Sequence, residues 1–203
     1  MSPQLRSFRW LIYAGVLLVS AWSLWTLRGQ QPGEPLPWLV DWQQQVFVPL
    51  AEERLTLAEL RALTGGELWV QPQGEGGPRL LYRADWRAAE QSWQLEAELA
   101  LSQNERDSLL AATGLAAGSA EQALSGELLD QLGQHRLASL LLKPADTVAG
   151  ARLIASLGQP RVRLGLQEGG EAWVYPQLGL TLFLRDEQLQ LLQNLPRRKP
   201  QNR

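Results

Sequence analysis

The stretch WQLEAELALS, residues 93–102, decides how this chain is read. Trp93, Leu95, Ala97, Leu99 and Leu101 alternate with Gln94, Glu96, Glu98 and Ser102. A period of two sends the first set to one face of a strand and the second to the other, so the pattern predicts an antiparallel strand with one buried face. Ser102 followed by Glu105 forms a capping box for a helix running to Thr113, where Gly114 ends it. Upstream, residues 67–71 and 79–83 flank the Gly-rich QPQGEGGP and read as a β-hairpin with an enlarged loop. Before that hairpin, Thr56 and Glu59 make another capping box. Leu55 and Leu60 are placed as its hydrophobic staple, and Gly65 takes the C-terminal position. Trp38, Leu39, Trp42, Val46 and Phe47 recur at helical spacing and predict either an interfacial helix or, the favoured reading, a first core helix. Residues 38–114 thus form one small α+β unit.

A Gly/Ala/Ser-rich link leads to a second unit, residues 119–195. Ser119 with Gln122 suggests a helix carrying Ala123, Leu124, Leu128, Leu129 and Leu132, closed by Gly133. Pro144 breaks the chain, and Asp146 caps a helix through Val148, Ile154 and Leu157 that ends at Gly158. Three short strands follow at residues 161–166, 171–175 and 180–184, and Asp186 opens a last helix with Leu189, Leu192 and Leu195 on one side. The expected fold class is α+β, an N-terminal transmembrane helix followed by two helix plus three-stranded antiparallel sheet units. Gly65 and Gly158 lie 93 residues apart, as do Tyr82 and Tyr175, a hint that the two units share a topology.

The second unit carries Leu157-Gly158-Gln159-Pro160, then a hairpin with Trp173-Val174-Tyr175, then a strand after Gly179. In these features residues 119–194 resemble the SmpA/OmlA-like modules of BamE-type envelope proteins. That resemblance implies a small non-catalytic interaction module working in the cell envelope, with an envelope protein as partner. The lipid-bearing cysteine of the outer-membrane members has no counterpart, since the chain has no Cys.

Residues 10–27, WLIYAGVLLVSAWSLWTL, hold no charge and predict a single transmembrane helix. Residues 1–9, with Arg6 and Arg9, would then be cytoplasmic, and the bulk of the chain would lie in the periplasm of a bacterial inner-membrane protein. A signal peptide cut ahead of Trp22 is the rival reading. Residues 28–37 are a Pro-rich linker and residues 196–203 a basic tail with Arg197, Arg198, Lys199 and Arg203. Between residues 30 and 195 there are 12 basic and 21 acidic side chains, a net of −9, which argues against binding a nucleic-acid backbone.

Few chemistries find their residues. Without Cys there is no thiol nucleophile or Cys-ligated metal, and the one histidine, His135, sits past Gly133 as a helix-end cation. No G-x-S-x-G elbow or P-loop occurs. Asp85, Glu90, Glu96 and Glu98 are the carboxylates a glycan hydrolase would draw on, and a secreted small-ligand binder is a further alternative. The favoured reading has no catalytic residue, no cofactor and no metal. It is a membrane-anchored adapter that captures an envelope partner along an edge strand. The strand with Leu180, Thr181, Leu182 and Arg185 is one candidate among the edges available, since Thr181 and Arg185 offer polar groups beside the leucines. Trp93, Leu95, Leu99, Trp173, Val174 and Leu182 are expected in the core.

Overall fold

The computed structural model describes residues 33–72, 77–113 and 119–197. All nine strands among them join one sheet. They are β1 (Glu67–Gln71), β2 (Arg79–Ala88), β3 (Gln91–Leu99), β4 (Gln122–Ala123), β5 (Leu137–Pro144), β6 (Val162–Gly165), β7 (Gly170–Tyr175), β8 (Leu180–Arg185) and β9 (Gln188–Asn194). The order across the sheet is β4-β1-β2-β3-β5-β9-β8-β7-β6, every neighbour antiparallel. This corrects the expectation of two separate three-stranded units: the chain is a mixed α/β body around one large sheet.

Two strands make the difference. Residues 137–144, assigned no element from the sequence, form β5, which pairs with β3 from Leu99↔Leu137 to Trp93↔Pro144 and with β9 through Leu140↔Asn194 and Leu142↔Leu192. The expected last helix is strand β9. Its turn from β8 uses Asp186 and Glu187, both at positive φ (51° and 59°), the two-residue geometry that matches strand twist, so Asp186 starts a hairpin and caps no helix. Leu189 and Leu192, three apart, both face inward because the β8–β9 register slips between them: Leu184 faces Leu189 while Phe183 faces Leu191.

The helices are short. α1 (Pro37–Trp42) runs through a π-helical turn (Gln43–Phe47) into α2 (Val48–Ala51); α3 (Leu57–Thr64), α4 (Gln103–Thr113), α5 (Gly126–Gln131) and α6 (Gly150–Leu157) follow. The Thr56–Glu59 box closes at both ends, and Leu55 and Leu60 are buried as its staple. Ser125, not Ser119, caps α5 by accepting from the Leu128 N–H. Asp146 accepts from the Ser92 N–H across the sheet, and α6 starts later, behind Ala149. Gly150 is required there: a Cβ would lie 2.8 Å from the Trp173 ring.

One sheet face carries the core. Trp93, Leu95 and Leu99 of β3, Leu140 and Leu142 of β5, Leu192 of β9, Leu182 of β8 and Trp173 of β7 are all buried there in one cluster with Leu39, Phe47, Leu60 and Leu153 from the helices. Val174 is only partly buried, as its place between inward Trp173 and Tyr175 requires. Among the described residues no helix is long and apolar enough to cross a membrane. The expected transmembrane helix, signal anchor and single-pass inner-membrane placement find no support among them; residues 10–27, on which those expectations rest, lie outside the described residues.

The sheet has a near-two-fold plan. One row of paired residues reads Leu68, Tyr82, Ala97, Leu140, Asn194, Leu180, Tyr175. Tyr82 and Tyr175 each stand three strands from the β5–β9 seam. The Tyr82 hydroxyl lies 3.1 Å from Thr64 Oγ1 at the end of α3, and the Tyr175 hydroxyl donates to the Gly158 carbonyl at the end of α6 (3.0 Å). The 93-residue spacing thus has a structural counterpart.

Candidate functional site

The near-two-fold plan breaks at the outer strands. On one side β4 lies against β1, with Trp69↔Ala123 and Val70↔Gln122 as partners and the Leu124 N–H donating to the Leu68 carbonyl (2.8 Å). Glu121 fastens it: its carboxylate accepts from Arg83 (2.5 Å) and from the Gln71 amide (2.7 Å). The Arg83 guanidinium holds Glu121 below the usual carboxylate range, and the same pairing pushes Arg83 up. β4 belongs to the long β3–β5 connection. The equivalent β8–β9 connection is only the Asp186-Glu187 turn, and it supplies no strand to cover β6.

β6 is therefore the open edge of the described sheet. Its register is Val162↔Val174, Arg163↔Trp173, Leu164↔Ala172 and Gly165↔Glu171. The Leu166 N–H donates to the Gly170 carbonyl. Alternation along an antiparallel ladder then turns the N–H and C=O of Leu164 and Val162 toward β7, and those of Arg163 and Gly165 outward. At the far end Arg161 also donates to Val174, so a bulge closes the ladder. Val162, Leu164 and Leu166 share the face opposite the core and are 41%, 52% and 44% exposed, three of the few large hydrophobics so placed. On the core face Arg163 lies 4.5 Å over the Trp173 ring, whose Nε1 donates to Glu171 (2.7 Å).

The sequence-derived edge is corrected here. Leu180, Thr181, Leu182 and Arg185 belong to β8, which is paired with β7 on one side and β9 on the other. Leu180 and Leu182 are buried, and the outward N–H imagined for Thr181 belongs to a ladder position inside the sheet. A helix at 186–195 would leave β8 as an edge; because that segment is strand β9, β8 lies inside the sheet and the strand at 161–166 forms the edge.

The face opposite the core continues inward from β6 through half-buried Val174, Thr181, Phe183, Leu191 and Leu141. Near β1–β3 it opens into a cleft of about 770 Å3 lined by Trp69, Arg83, Gln94, Glu96, Lys143 and Leu191. Among its carboxylates Glu96 accepts from Arg83 (2.8 Å) and Glu67 also contributes to the lining; Glu98, which does not line it, accepts from Arg79 (2.6 Å). Asp85 also lines it, whereas Glu90 sits exposed in the β2–β3 turn. His135 lies 3.4 Å from Glu105 beyond α5. Among the described residues no group of three or more His, Asp or Glu side chains is placed to hold a metal ion. Comparison with known proteins gives no match to a family model, a curated protein or a solved structure.

Proposed function

We propose that the folded domain is a non-enzymatic protein-interaction module that takes an extended segment of its partner as an additional strand on β6. One observation carries this reading: the fold itself already performs the reaction on its other side, where β4 completes β1 with backbone hydrogen bonds and a side-chain clasp. β6 offers the same outward N–H and C=O groups and adds three exposed apolar side chains at alternate positions. In strand addition the main chain supplies affinity and alternate side chains supply specificity. The incoming strand then meets Val162, Leu164 and Leu166 with apolar residues on one face. The likeness of residues 119–194 to non-catalytic BamE-type modules leans the same way.

The test is photocrosslinking in the producing cell from position 164, compared with Leu63 on α3, an exposed apolar residue away from the edge (39% exposed). Adducts are expected from 164 and not from 63, and they should vanish with Gly165→Pro, which removes an outward N–H and leaves the β7 ladder intact. Equal yields at both positions, or adducts indifferent to that proline, would refute the reading.

A further inference from the structure

We infer that the strand received by β6 is the β6 of a second copy of this chain, antiparallel about a two-fold axis through Leu164. This rests on β6 being a docking edge and names its partner. Three antiparallel registers centred on this strand keep the outward groups of both copies facing each other. Centring on Arg163 sets guanidinium against guanidinium, and centring on Gly165 leaves Val162 without an apolar partner. Centring on Leu164 satisfies everything at once. Arg163 and Gly165, the two residues with outward N–H and C=O, face each other across the axis and exchange hydrogen bonds twice. Leu164 meets Leu164, and Val162 meets Leu166 in both directions, so the three exposed apolar side chains on one face are all matched.

On the opposite face Gly165 presents no side chain, and a Cβ added there would meet nothing within 4 Å, so nothing obstructs the partner strand. Arg163 of each copy stays over its own Trp173 ring, 4.5 Å from the centroid, and donates to Gln159 (3.0 Å), which keeps the two guanidinium groups apart. The overlap is only residues 162–166 of each copy, so the area buried is small and the dimer reversible.

The chain contains no cysteine, which makes the register directly readable. Directly opposed residues outside the hydrogen-bonded pairs have Cα atoms about 4.5 Å apart, within the range of about 4.4–6.8 Å that a disulfide spans. Leu164→Cys should therefore form a disulfide-linked dimer under mild oxidation. Val162→Cys and Leu166→Cys should each crosslink poorly alone, since like positions are about 13 Å apart along the strand, and efficiently when mixed. Sedimentation velocity of the unmodified chain over about 1–100 μM should show concentration-dependent dimer. Leu164→Lys, at an exposed site, should abolish it with circular dichroism unchanged. A chain that stays monomeric and gives no Leu164→Cys dimer overturns the second copy, as does a dimer with another crosslinking register or one that survives Leu164→Lys. If crosslinks from position 164 in cells then reach a different protein, the docking edge stands and only its occupant changes; if they reach nothing, both readings fall.

Discussion

The β5–β9 seam is where one sheet or two is decided, and Leu142→Ala tests it. Leu142 is fully buried, faces Leu95 on one side and Leu192 on the other, and so ties the two halves together. Truncation to alanine removes three carbons from the core, at about 0.8 kcal/mol each, or about 2.4 kcal/mol. If about 50 Å3 remains unfilled, about 24 cal/mol per Å3 adds about 1.2 kcal/mol. The expected loss is about 3.5 kcal/mol, which for a domain of this size lowers Tm by about 7–14 °C. Chemical denaturation followed by tryptophan fluorescence and by far-ultraviolet circular dichroism should give coincident single transitions before and after the change. Leu192→Ala in the same background should cost less than it does alone, because the two side chains share one cavity. A loss below ~1 kcal/mol, or unfolding in two steps with only the second half displaced, would mean the halves fold as separate units and the seam is incidental.

Gly150→Ala places a methyl 2.8 Å from the Trp173 ring and 3.2 Å from Leu184, and should cost about 1–3 kcal/mol with a changed Trp173 emission. The Tyr175 phenol is pushed up to about 12 by burial. The folded state therefore favours the neutral phenol, and the stability this contributes is complete below the unfolded value of about 10 and lost as pH rises toward about 12. An ultraviolet titration should show tyrosinate appearing late, and Tyr175→Phe should remove that component. Glu121 titrates below its unfolded value because of Arg83, so its contribution is present above about pH 4.3 and lost as pH falls further. The protection factor of the Leu124 N–H, which reports β4 docking, should fall in that acidic window and also in Glu121→Gln at neutral pH.

What could be read from the sequence was what neighbouring residues settle among themselves. The Thr56–Glu59 and Ser102–Glu105 boxes stand as expected because a cap is made within four residues. The alternation of residues 93–99 gave the buried face of β3 for the same reason. The misreadings all come from partners distant in the chain. Leu189, Leu192 and Leu195 satisfy helical spacing, and only the slip in register against β8 makes Leu189 and Leu192 face inward from a strand. Leu137, Leu140 and Leu142 are likewise spaced unevenly because β5 slips against β3 beside Leu99. An irregular period hides a strand from any pattern search along the chain. With β9 a strand, the edge lies at β6, two strands beyond β8, since an edge is a property of the whole sheet.

The two outer strands show how the same half-sheet can be finished in two ways. Unpaired edges invite association, and proteins commonly blunt them with proline, charge or a covering segment. β1 has the covering segment. β6 has Pro160 and Arg163 near its start, yet Arg163 is drawn back over Trp173 and leaves the ladder groups clear, while Val162, Leu164 and Leu166 stay exposed. Gly165, a core-face position on this edge, carries no side chain to obstruct an incoming strand. β6 keeps its outward N–H and C=O groups beside three exposed apolar side chains, the combination that strand addition uses.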